Sequence, residues 1–200
     1  MMNPDSDQLS PAVSVSAAIQ DGGVSVGSIA SAAMVKPGAA RYGVPNGADP
    51  LKVVVPSFTV KSIRQSTPGS GTDNTLTVSL KADFDLPVGS TVTIMGLTES
   101  QTADSASLAV GSMAGGLGTS GAWTKASGQL VLTAASLVTA GTECVLTFTL
   151  TNPDSMQGSP AVSVEAAIIK DGGVSVGSIA SAAMDKPGTA LYGWLPERTR

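Results

Sequence analysis

The sequence predicts an all-β protein, a two-sheet antiparallel β-sandwich arranged as a tandem repeat with an incomplete first copy. Three observations predict it. Apolar and polar residues alternate with period two in short runs, the pattern of strands with one buried face. Gly, Pro, Asn and Asp clusters separate those runs and supply the backbone freedom of turns. A long segment occurs twice, and self-similarity at a fixed offset marks a repeat architecture.

The elements follow in chain order. Val13 and Val15 begin one strand, and Val24 and Val26 the next, with Val162/Val164 and Val174/Val176 at the matching places of the second copy. The stretch Ser28 to Met34 is rich in alanine and allows a helical turn, which its glycines and serines weaken. Val53 to Val60 reads as a strand interrupted by Pro56. Leu76, Val78 and Leu80 share one face of a strand, as do Val92 and Ile94 before the break at Gly96. Leu130 and Leu132 alternate about Val131, and Cys144, Leu146, Phe148 and Leu150 point away from intervening threonines. Turns are expected at Pro68–Gly71, Pro87–Gly89, Gly115-Gly116, Ser127-Gly128, Ala140-Gly141 and Asp171–Gly173. This spacing amounts to about eight or nine short strands per period, which suits a sandwich.

The repeat sets the domain boundaries. Asn3–Gly43 and Asn152–Gly193 align with one single-residue gap and match at 34 of 41 positions, offset by 149 residues before the gap and 150 after it. We therefore divide the chain into a first tail (1–43), a Pro/Gly/Asn-rich linker (44–50), a complete unit (51–193) and a C-terminal extension (194–200). The complete unit comprises a body (51–150) and a second tail (151–193). The first tail is an orphan, as its own body would lie upstream. Two readings stay open: a window on a longer array, or an orphan tail that docks on a neighbouring chain.

Composition excludes several functions. The chain is 42% hydrophobic, 4% aromatic and 13% charged, with 23 glycines, no histidine and one cysteine. Without histidine it lacks the commonest general base and metal ligand. One cysteine excludes an intrachain disulfide and a cysteine-based zinc site. A net charge of −4 with 11 basic residues argues against nucleic acid and anionic membranes. No apolar run approaches the ~20 residues of a membrane-spanning helix. Met1–Asp5 has neither the basic start nor the apolar core of a secretory signal, which fits a cytosolic chain or an excised piece of a secreted one.

Candidate chemistry is sparse. Ser62 beside Lys61 lacks any motif of a serine–lysine pair. Asp83 and Asp85 share one face of a strand, and glycosidases use two carboxylates, but a solvated strand end is much the stronger reading of this pair. Calcium would draw on Asp73-Asn74, Asp83, Asp85, Asp104 and Asp171, but no EF-hand spacing is present, and we expect no metal or other cofactor. Trp123 reads as a core plug between the sheets, with a sugar-stacking platform as the alternative. Cys144 reads as a small buried hydrophobe. The pairs Thr75/Thr77, Thr91/Thr93 and Thr147/Thr149 invite an ice-binding reading, but lie on separate strands without a constant short repeat. No Asn-x-Ser/Thr sequon is present.

The runs Gly89–Thr98, Gly118–Trp123 and Gly128–Thr133, with Phe148–Pro153 followed by Ser159–Val164, resemble tandem modules of very large extracellular or surface proteins of algae and other protists. The resemblance covers roughly residues 51–193 and the first tail. It implies Ig-like sandwiches, extracellular or cell-surface display, and a structural or adhesive role.

The expectation is then a non-enzymatic building block of an extracellular fibre, assembling head-to-tail by strand sharing with itself or with adjacent repeats. Its assembly face would be Val13, Val15, Ile19, Val24, Val26 and Ile29. The alternative is an adhesin-like module that binds glycan or a surface protein through loops near Trp123 and Gly115-Gly116.

Overall fold

The structure is a computed structural model that describes residues 6–114, 116–170 and 173–187, with 112–114 described by backbone alone. The chain forms two compact units, Met1–Val55 and Pro56–Arg200. Among the described residues all regular structure is β.

The first unit is built on a hairpin of β1 (Ser14–Asp21) and β2 (Val24–Ala33). Gly22 and Gly23 close it with φ of 53° and 87°. Two successive positive values are what a tight turn matched to strand twist requires, and glycine adopts them without strain. The residues read as a possible helical turn, Ser28 to Met34, lie in β2 and just past it, because alternate side chains and the ladder to β1 suit an extended backbone. The segment 44–50 is a hydrogen-bonded loop: Val44 is buried, Arg41 and Val44 exchange backbone bonds, and Gly38 N–H donates to Asp49 Oδ1 at 2.7 Å. Gln8 and Val53 pair through both backbone groups at 2.9 and 3.0 Å.

The run Val53 to Val60 is therefore not one strand. Pro56 lacks the N–H that a ladder needs, so Val53 pairs within the first unit and β3 (Phe58–Gln65) begins beyond the proline. The second unit continues with β4 (Asp73–Ala82), β5 (Thr91–Met95), β6 (Ser105–Ala109), β7 (Gly111–Ala114), β8 (Leu117–Thr124), β9 (Gln129–Ala134) and β10 (Glu143–Thr151). The second tail supplies β11 (Ser163–Lys170) and β12 (Val174–Ala183). One sheet has the order β3-β4-β10-β7 and the other β12-β11-β5-β9-β8-β6, all neighbours antiparallel. The protein is an all-β sandwich. It carries more strands than the turn spacing suggests, because β6 and β7 are mostly Ala, Ser and Gly, with one large apolar residue each (Leu108 and Met113), and give no hydrophobic alternation.

The alternating faces meet in one core. Leu76, Val78, Leu80, Leu146, Phe148 and Leu150 of one sheet face Val92, Ile94, Leu130, Leu132 and Trp123 of the other, all buried. Trp123 is 2% exposed, and its indole N–H donates to the Thr102 carbonyl at 3.2 Å. Cys144 lies in the same interior, where burial first and the nearby Glu143 second push its thiol pKa up. A raised value disfavours the thiolate and its reactivity.

Candidate assembly interface

The second tail shows how a tail completes a body. Its strand β11 pairs with β5 in the register Ser163↔Met95, Val164↔Ile94, Glu165↔Thr93, Ala166↔Val92 and Ala167↔Thr91. Period-two alternation then turns Val162, Val164, Ala166 and Ile168 into the core, joined by Ile179 of β12 and by Met184 just past its end, every one buried.

Polar contacts seat the hairpin as well. The fully buried Ser90 hydroxyl accepts from Ile169 N–H at 3.2 Å and donates to the Ile169 carbonyl at 3.3 Å. Gly96, at φ 90°, leaves no room for a side chain, since a Cβ there would stand 2.1 Å from the Ala161 carbonyl oxygen. Asp185 N–H donates to the Lys61 carbonyl and Ile63 N–H to the Asp185 carbonyl, at 2.8 and 2.9 Å. Asn74, 3% exposed, donates to the Asn152 side chain at 2.8 Å, while Asn152 donates to Gly69 O at 2.7 Å. That amide pair ties the start of the tail to the body.

The first tail builds the same hairpin. The pairs Ser14↔Ala33, Val15↔Ala32, Ala17↔Ile29, Ala18↔Ser28 and Ile19↔Gly27 reproduce Ser163↔Ala183, Val164↔Ala182, Ala166↔Ile179, Ala167↔Ser178 and Ile168↔Gly177. Both bulges recur, between Val15/Ala17 and Ile19/Gln20 and between Val164/Ala166 and Ile168/Ile169. The closing bond recurs too, from Met34 N–H to Val13 O and from Met184 N–H to Val162 O, each 2.8 Å. Lys36 donates to Ser10 O at 2.8 Å, and its counterpart Lys186 donates to Ser159 Oγ at 2.8 Å and to the Pro160 carbonyl.

Burial separates the copies. Val15 is 56% exposed against 0% for Val164, Ile19 46% against 0% for Ile168, and Ile29 58% against 3% for Ile179. Val13 is half-buried where Val162 is buried. Val24 and Val26 are exposed, but so is Val174, and Val176 is half-buried, so these two match positions that a docked hairpin leaves mostly uncovered. Ala17 and Met34 belong with the apolar face, since Ala166 and Met184 are buried. Small size hides Ala17 from a hydropathy reading, and Met34 lies beyond the strand.

Asp83 and Asp85 lie past the end of β4 and cap backbone: Asp83 accepts from Ser57 N–H and hydroxyl at 2.7 and 2.6 Å, and Asp85 from Ala140 N–H at 2.8 Å. They do not share a strand face. Asp73 accepts from the Thr151 hydroxyl and Asp104 from Lys125 N–H, while Asp171 lies outside the described residues. No three acidic or cysteine residues cluster as a metal site among the described residues. Trp123 offers no exposed face for stacking a sugar, and Gly115 lies outside the described residues. Thr75 and Thr77 stand opposite Thr149 and Thr147 on β4 and β10, with Thr75 and Thr149 hydroxyls 3.2 Å apart, while Thr91 and Thr93 lie on the other sheet.

The fold thus defines a β-sandwich protein whose closing hairpin occurs twice. No protein-family model matches the chain, and no curated protein matches it. Among solved structures, it is similar to AvmM, which catalyses macrocyclisation in alchivemycin A biosynthesis, at TM-score 0.30 and 9% identity over 66% of this chain and 92% of that one. It is also similar to a family GH18 chitinase from Chromobacterium violaceum, at TM-score 0.26 and 14% identity, over 68% of this chain and 20% of that one.

Proposed function

We propose that this chain is a non-enzymatic structural building block of an extracellular fibre or appendage, assembled head-to-tail from tandem sandwiches that share strands. One observation carries the reading. A hairpin that is buried on β5 in its second copy stands in its first copy with the same register and with Val15, Ile19 and Ile29 exposed. An exposed apolar face beside an unpaired strand edge is a template for another sandwich. The low charge and the Ser/Thr/Gly-rich composition support extracellular display. On this reading the first hairpin is the closing element of a neighbouring sandwich of the same kind.

Sedimentation velocity and negative-stain electron microscopy of the full chain, across a concentration series, test it. The expected result is end-to-end association that Val15→Asp with Ile19→Asp abolishes. Association that survives both aspartates, or a wild-type chain that stays monomeric at every concentration, would sink the reading.

A further inference from the structure

We propose that the first hairpin closes the body of a second copy of this chain, seated on β5 in the place of that copy's own second hairpin. The inference rests on the strand-sharing reading above and adds the partner, the slot and the register.

The slot makes demands that the first hairpin meets. It needs a strand edge for β5, and the β1 ladder to β2 repeats that of β11 to β12, bulges included. Its inward positions hold Val162, Val164, Ala166, Ile168, Ile179 and Met184, and the first copy carries the same residue type at each. The Ser90 hydroxyl bonds the backbone of Ile169, and Gly96 faces the backbone of Ala161 and Val162, so Gln20, Ala12 and Val13 serve there equally. Val35 brings the same backbone groups that Asp185 gives to Lys61 and Ile63. Along the ladder the differing side chains are Ser16 for Glu165 and Gln20 for Ile169, where the second copy is half-buried, and Asp21 for Lys170, where it is exposed. The Ile169 side chain lies against Gly89, and the first copy reaches its next strand through a turn one residue shorter.

Two hairpins then compete for each body, and one feature favours the incoming one. In the first unit Gln8 and Ser10 side chains donate to the carbonyls of Leu51 and Pro50, and Gln8 pairs with Val53. Their counterparts Gln157 and Ser159 line a cleft of about 410 Å³ with Arg64, Asn74 and Lys186. An incoming first unit carries the Pro50–Val55 segment to that cleft along with its hairpin. Exchanging identical elements between copies is a low-cost route to association, and a head-to-tail contact need not close.

The test is a register-specific disulfide in the full chain, Ser16→Cys with Thr93→Cys. Directly opposed residues of antiparallel strands lie within disulfide reach. These positions match Glu165↔Thr93 on the outer side of the sheet, so the core and the buried Cys144 are untouched. Mild oxidation should give a ladder of disulfide-linked chains that grows with protein concentration and collapses on reduction. Adding Ile168→Asp, which evicts the resident hairpin, should shift most of the chain into the ladder. Where that variant fails to fold, the two-cysteine chain still decides. A disulfide that closes within one chain overturns the proposal. So does interchain linkage no greater than in a Ser25→Cys with Thr93→Cys control. If linkage fails while Val15→Asp with Ile19→Asp still abolishes association, exchange on β5 is wrong and strand sharing stands. If neither responds, both fall.

Discussion

The two hairpins carry nearly the same residues, fold to the same register and differ in what covers them. The second lies against β5 with Val164 and Ile168 inaccessible to solvent, while the first presents Val15 and Ile19 at 56% and 46% exposure. Register and bulges are therefore properties of the hairpin, set by its alternation and the closing methionine bond rather than by the turn, which is one residue shorter in the first copy. Burial is a property of the neighbour. A lone two-stranded hairpin is marginal in water. In the first unit it has reinforcement from Gln8–Val53 pairing and from the Lys36 and Gln8 side-chain bonds.

One substitution made at matched sites should affect the two hairpins very differently. Ile168→Ala removes a fully buried side chain and leaves a cavity, at a cost of about 2–5 kcal/mol. Ile19→Ala acts on a residue that is half in water and should stay within about 0.5 kcal/mol in dilute solution. Urea unfolding at a concentration where the chain is monomeric measures both. Equal losses would show that the first hairpin is covered as well, and the contrast would fail.

The alternation in Leu76–Leu80, Val92–Ile94 and Cys144–Leu150 made the sandwich legible, because a half-buried strand writes its inner face into every second residue. The duplicated tail made the hairpins legible for the same reason. What covers each copy was not, since 34 of 41 matched positions are identical and the deciding partner, β5, is distant in sequence. Strands β6 and β7 escaped notice because a single large apolar residue in each, Leu108 and Met113, among alanine, serine and glycine sets up no alternation. Asn74 and Ser90 are buried polar residues with tail partners 78 and 79 residues away, and local pattern cannot show such partners.

Ser90→Ala probes a smaller, purely polar share of the interface. Alanine leaves the N–H and carbonyl of Ile169 without the hydroxyl that serves both. Losing a buried partner costs about 1–3 kcal/mol. Hydrogen exchange adds a local readout: the Ile169 amide should exchange faster, while the Gln20 amide keeps its wild-type rate in the monomer. An unchanged Ile169 rate would mean that the serine is not the anchor of that end of the hairpin.

The smallest effect comes from making the second copy resemble the first where they differ just past the closing methionine. Asp185→Val installs the residue found at Val35 and removes the ion pair with Lys61, whose charged atoms lie 3.9 Å apart. The aspartate is 73% exposed and the lysine 27%, so solvent screens the pair and it contributes at most about 1 kcal/mol. The backbone bonds from Asp185 to Lys61 and Ile63 do not depend on the side chain, so the hairpin should remain seated with its full ladder. We expect a midpoint shift in urea that shrinks further as salt is added, because an exposed pair is screened within about 8 Å at physiological ionic strength. A large, salt-insensitive loss would mean that this carboxylate distinguishes the resident hairpin from its twin. The two copies would then not be interchangeable on β5.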